Sequence, residues 1–303
     1  MNIELLIKRL QRPTGNVDVV LDTDAYNEID DQYAISYLLS YKERLNTRAI
    51  FAAPFHNHHS EGPADGMEKS YNEILNLLTL IKRDDLKKNV YRGSTEYLKD
   101  EKTPVESEAA RKLCELAMEY DSENPLYVVA IGAITNIASA ILMKPEIVDR
   151  IVIVWLGGHS LYWPDTNEFN MGQDIAAARI IFGCGAALVQ IPCMGMASAF
   201  AVSEDELVRW LKGKNALCDY LVQHTVEEVT YAVGKPWTRV LWDVTAIAWL
   251  TGDFTHQRLI PSPIPEYDFH YGSSSSRHFI SYVYYVARDE LMRALFERLG
   301  GVI

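Results

Sequence analysis

The chain has 303 residues, 48% hydrophobic and 23% charged, a make-up that suits a globular protein with one large α/β core over 1–303. Its 29 basic against 41 acidic residues give a formal charge of −12, which argues against a general nucleic-acid surface. No apolar run reaches the roughly 18 residues of a membrane span, and Glu4, Lys8 and Arg9 interrupt the N-terminus too early for a secretory signal. The cysteines, Cys114, Cys184, Cys193 and Cys218, are far apart and in no metal-like spacing, so a reducing cytoplasm is expected.

In chain order, the first element is a short apolar run, Val17 to Leu21, that predicts a buried strand. It leads into Asp22-Thr23-Asp24, and Asp30 and Asp31 then open an amphipathic helix. Four carboxylates therefore meet where a strand hands over to a helix. Like charges at short range oppose one another's ionisation. A hard cation such as calcium or magnesium would resolve the conflict with oxygen ligands. The plainer alternative makes Asp30 a helix cap and the others ordinary loop acids.

Arg48–Ala53 predicts the second strand, and AAPFHNHHS follows it. There Asn57 offers both donors and acceptors. His56, His58 and His59 suggest zinc less strongly than a polar loop, because the acids prefer a harder ion. A helix follows with Tyr71, Ile74, Leu77, Leu78 and Ile81 at helical spacing, then a short strand near Val90 and the helix ESEAARKLCELAMEY. Leu126–Ile131 is a strand that turns at Gly132 into a helix containing Thr135, which is either a cap or a source of a main-chain carbonyl for a cation.

Ile151–Leu156 is the next strand. Beyond it, Glu168, Phe169 and Asn170 would set an acid and an amide on one side of an extended backbone, suited to a polyhydroxyl ligand. Ala187–Ile191 is a strand, and from the capping-box pattern at Ser203 and Glu206 to about Gly252 the pattern is mainly helical. Asp243 follows Trp242 at the head of an apolar helix, where Trp242 is either core or a flat face for a ring. PSPIPEYDFHYGSSSS predicts an exposed loop or hairpin tip. The strand RHFISYVYYV and the helix DELMRALFERL close the chain. Alternating strands and helices predict a Rossmann-like, mostly parallel sheet with helices on both faces and a helical C-terminal elaboration.

From about Asp18 to Trp249 the order DTD…DD, Asn57, Thr135-Asn136, EFN and Asp243 resembles the nucleoside hydrolases, the inosine-uridine-preferring N-ribohydrolases. The resemblance implies calcium held by Asp24, Asp31, Asp243 and the Thr135 carbonyl, with Asp24 also the general base. It implies a ribose held by Asp30, Asn57, Glu168 and Asn170, with Asp22 in support and Trp242 stacked on a purine. The implied partner is a small nucleoside or ribosylated metabolite, and the implied assembly a homodimer or homotetramer.

This chain departs from that pattern in three places. The family's DTDPGxDD is here DTD-AYNEI-DD, two residues longer and without the Pro-Gly turn. Trp242 stands where pyrimidine-accepting members carry a His, and Tyr162 lies near a common ribose-contacting Asn. Two rivals remain. One is a non-catalytic ribose- or nucleoside-binding protein of the same fold. The other is a haloacid-dehalogenase-like phosphohydrolase, which also has a strand ending in DxD but needs a later Gly-Asp after a strand. Here Gly252-Asp253 follows a helix.

Overall fold

Strands covered on both faces bury every side chain, whichever way it points, so they read as continuous apolar runs. The computed structural model, which describes residues 2–229, 232 and 234–301, builds its centre from such strands. After α1 (Ile3–Arg9) come β1 (Val17–Thr23), α2 (Asp30–Ser40), β2 (Leu45–Ala52), α3 (Pro63–Leu80), β3 (Val90–Arg92) and α4 (Glu108–Ala117). Next are β4 (Leu126–Ala130), α5 (Thr135–Met143), β5 (Ile151–Leu156), a short α6 (Phe169–Gln173), α7 (Ile175–Gly183) and β6 (Ala187–Ile191). The last third carries β7 (Ala201–Ser203), α8 (Glu204–Trp210), α9 (Ala216–Glu228), β8 (Thr238–Val240) and α10 (Val244–Thr251). It ends with β9 (Thr255–Pro261), β10 (Ile264–Pro265), β11 (Tyr271–Gly272), β12 (Phe279–Val286) and α11 (Arg288–Gly301).

Eight strands form one sheet in the order β3-β2-β1-β4-β5-β6-β12-β9. All neighbours are parallel except β12 and β9. Side chains alternate between two cores. Val19, Leu21, Val129 and Val154 face the helices α2, α10 and α11, whereas Val20, Val128 and Ile153 face α4, α5 and α7. Strand order reverses between β1 and β4, and in open α/β sheets ligands bind at the carboxyl ends beside that switch point. The acids after β1 sit there.

Several elements differ from the sequence reading. Strand β1 runs on through Asp22 and Thr23, because Asp22 pairs with Ala130 of β4 and so stays in the ladder. The mainly helical stretch is interrupted by β8, which pairs antiparallel with β7. Thr255–Pro261 is an edge strand against β12. Its half-exposed side chains dilute the apolar signal that marks the central strands. The segment Glu168–Asn170 is not extended: Glu168 caps α6, its carboxylate accepting the N–H groups of Asn170 and Met171. The capping box at Ser203 and Glu206 forms, and the Pro-rich segment folds into the two-stranded β10–β11 tip. Among the described residues no helix is long and apolar enough to cross a membrane.

One buried amide ties the switch point together. Asn136 Nδ2 donates to Asp22 Oδ1 at 2.7 Å, while Asn136 Oδ1 accepts from the Ser94 N–H at 2.7 Å and the Ser94 hydroxyl at 2.8 Å. All three residues are buried, so truncation strands polar groups away from water, each costing about 1–3 kcal/mol. Asn136→Ala is expected to lose about 3 kcal/mol or more of unfolding free energy in urea denaturation. A loss below about 1 kcal/mol would show that water repairs the site.

Candidate active site

The structure groups Asp31 and Asp243 with Asp30, which the resemblance assigned to the sugar, and leaves Asp24 outside that group. Asp30, Asp31 and Asp243 each offer an oxygen within 4.8 Å of the others, and among the described residues they form the one acidic or histidine group able to hold a metal ion. Capping does not explain them. Ile29, not an acid, occupies the cap of α2, and Asp243, although at the head of α10, makes no capping hydrogen bond. Asp31 accepts a short hydrogen bond from the Thr23 hydroxyl. The histidines of the second loop join no such group, and His56 and His58 are exposed.

Asp24 lies beside this trio and is fully buried, with neither carboxylate oxygen hydrogen-bonded. Gly132 makes room for it: a Cβ there would come within 2.9 Å of Asp24 Oδ1. Burial pushes the carboxyls of Asp24, Asp31 and Asp243 well above the usual range, and their neighbours' charges push them further. Burial also pushes Asp22 and Asp30 up to about 7. Such a cluster is stable only if it holds protons or a cation. Orphaned carboxylate oxygens beside three converging ones fit a hard divalent ion.

A cavity of about 260 Å3 opens onto the trio. Glu168, Asn170 and Trp242 line it as well. Glu168 accepts the backbone N–H groups of Gly158, Asn170 and Met171 at 2.8–2.9 Å, which occupies three of about four acceptor positions on a carboxylate. Asn170 donates both its amide hydrogens to main-chain carbonyls, of Ile131 at 3.2 Å and Leu156 at 3.0 Å. Its Oδ1 is therefore the atom left to accept from a ligand. Trp242 is half-buried, packing against the core and also lining the cavity.

Three sequence candidates stand off the lining: Asp24, buried behind it, Thr135 and Asn57. Thr135 opens α5, where main-chain carbonyls are directed down the helix axis, and its hydroxyl donates to Asp174 at 2.7 Å. Ile131, at the end of β4, lines the cavity instead. Asn57 lies behind Asn27, to whose Oδ1 it donates at 2.6 Å. Tyr162 is 72% exposed, its hydroxyl on the Gly195 carbonyl at 2.6 Å.

Sequence reasoning missed Asn27, Glu28 and His159. The two-residue extension of the first loop turns on the Asn27 N–H to Asp24 carbonyl bond of 2.7 Å and carries Asn27 and Glu28 into the cavity. Arg239 clamps Glu28 from β8 at 2.8 Å and reaches Glu228 at 3.4 Å. His159, in the GGHS turn after β5, accepts the Met194 N–H at 3.3 Å, and burial lowers its pKa. The signal for Asn27 was the loop's added length; His159 offered only its place after a strand.

The inosine-uridine preferring nucleoside hydrolase family matches residues 19–264. The chain is similar to the pyrimidine-specific ribonucleoside hydrolase RihA of Escherichia coli O81 (strain ED1a), 26% identical over 266 residues that span 77% of this chain and 78% of RihA. In fold it resembles a purine-preferring ribonucleoside hydrolase from Gardnerella vaginalis, with a TM-score of 0.75, 20% identity and 94% and 98% of the two chains covered. It likewise resembles the type III effector XopQ, solved with adenosine diphosphate ribose, with a TM-score of 0.70, 16% identity and 99% and 98% coverage. The match extends over most of the chain and takes in every acid of the cluster: this protein belongs to the inosine-uridine preferring nucleoside hydrolase family and is an N-glycosyl hydrolase.

Proposed function

We propose that the chain hydrolyses the N-glycosidic bond of an uncharged ribonucleoside, purine in preference to pyrimidine, with calcium held by Asp24, Asp31 and Asp243. The observation that carries this reading is the bare, buried carboxylate of Asp24 beside the Asp30–Asp31–Asp243 trio. The main-chain ligand expected from Thr135 falls better to Ile131, which lines the cavity. A bound calcium would supply an oriented water of lowered pKa. Asp24 would accept a proton from the attacking water as its oxygen joins the anomeric carbon and the bond to the base breaks. Asp30, Glu168 and the Oδ1 of Asn170 hold ribose hydroxyls, which fixes the anomeric carbon for attack. Positive charge builds on the sugar as the bond to the base breaks, and the surrounding carboxylates favour it.

Trp242 supports the purine preference. An indole face holds a bicyclic base and favours its protonated form by about 1–2 kcal/mol when desolvated. The uncharged-substrate reading rests on the lining, which among the described residues contains no Lys or Arg. Arg239 is engaged by Glu28 and Glu228 and lies 3.8 Å from Asp30. A 5′-phosphate would meet lining carboxylates with no Lys or Arg of the lining to pair with it.

A reducing-sugar assay over a nucleoside panel tests the whole reading. Inosine should be cleaved with calcium and not after chelation, and inosine 5′-monophosphate should be a poor substrate. Uridine cleaved faster than inosine would remove the purine preference, and an unchanged inosine-to-uridine ratio in Trp242→Ala would remove Trp242 from it. Asp24→Asn should fold normally yet lose at least about a thousandfold in kcat; near-normal turnover would end the general-base assignment.

Linkage gives a further check. The raised carboxyls bind protons in the folded state that the unfolded chain has released, so stability of the metal-free protein should fall as pH rises from about 4 through about 7. Calcium should remove that fall and add about 2.7 kcal/mol at a hundredfold excess over Kd. Thermal melts across pH with and without calcium measure both; parallel curves would contradict the metal site.

A further inference from the structure

The first loop, two residues longer than the family's pattern, does more than bulge. It brings Asn27, 7% exposed, to the cavity wall. Three contacts hold it there. Its Oδ1 accepts from Asn57 Nδ2 at 2.6 Å, its carbonyl oxygen is 2.9 Å from His59 Nδ1, and its N–H closes the turn onto the Asp24 carbonyl. Asn57 is itself fixed by the His59 N–H, which donates to Asn57 Oδ1 at 2.8 Å. With both its amide groups used on the loop, Asn57 faces Asn27 rather than the cavity.

Because Asn57 takes the oxygen of the Asn27 amide, the Asn27 Nδ2 is the end left free, and among the described residues it has no protein partner. In the same cavity Asp30, Asp31, Asp243, Glu168 and Asn170 Oδ1 present acceptors. A sugar hydroxyl donates and accepts at once, so it can give its hydrogen to one of these acids and take one from Asn27. From this geometry we propose that Asn27 is the specificity-determining contact to a ribose hydroxyl in this chain, and that Asn57 is a positioning residue acting through it. The proposal rests on the nucleoside reading of the site.

Steady-state kinetics on inosine and its 2′-, 3′- and 5′-deoxy forms test it with Asn27→Ala, Asn27→Asp, Asn57→Ala and the double Ala variant. Asn27→Asp keeps the acceptor for Asn57 and replaces the donor with a carboxylate, so it serves beside the Ala variant if that folds poorly, as judged by thermal melts. Either Asn27 variant should lose about tenfold in kcat/KM on inosine. One of the three deoxy substrates should be insensitive to Asn27→Asp, which identifies the hydroxyl touched. The double variant should be within about twofold of Asn27→Ala, because Asn57 acts through Asn27. Multiplicative losses in the double variant, or equal sensitivity of all three deoxy substrates, would overturn the assignment. If the wild type cleaves no nucleoside, the functional reading fails. Calorimetric titration of inosine in calcium then applies the same criteria to Kd, and an unchanged Kd in both Asn27 variants overturns the contact.

Discussion

Four aspartates buried at one strand-to-helix junction cannot all carry charge without something to hold them. Asp24, Asp30, Asp31 and Asp243 are each 3% exposed or less, and Asp24 makes no side-chain hydrogen bond. Unpaired ionised carboxylates in a protein interior shift their pKa and neutralise rather than remain charged. A divalent cation removes that conflict, and the same cation would activate water.

The rest of the fold reads as support for that junction. Reversal of strand order between β1 and β4 opens the crevice. Gly132 leaves room for the Asp24 carboxylate, and Asn136 braces Asp22 from the first turn of α5. The wholly buried helix α10 packs against α2, so Asp243 meets Asp30 and Asp31 from a segment more than 200 residues away. Glu168 folds its own backbone into a turn that presents Asn170.

Much of this was legible in the sequence, and the reasons are physical. Ile151–Leu156 and Ala187–Ile191 were read to the residue, because doubly buried parallel strands leave unbroken apolar runs. The edge strand Thr255–Pro261 was not, since water on one side erases the contrast. Asp24, Asp30 and Asp31 could be grouped because, with Asp22, they put four acids at one strand-to-helix junction, more than capping needs, and Asp243 joined them through the order of motifs shared with the family. Thr135 and Asn57 could not be placed finely: order along the chain names a loop, while which carbonyl or amide faces the cavity depends on turn geometry. Asn27 was hidden for the same reason, as the extension that carries it has no counterpart in the family's motif.

One cation, ligated by Asp24 as well as Asp31 and Asp243, is what we propose holds the junction together. Anomalous diffraction from crystals grown with calcium tests it most directly. The expected result is a single peak with oxygens of all three aspartates at roughly 2.3–2.6 Å. A map without a peak, or an ion held by Asp30, Asp31 and Asp243 with Asp24 left unligated, would contradict it.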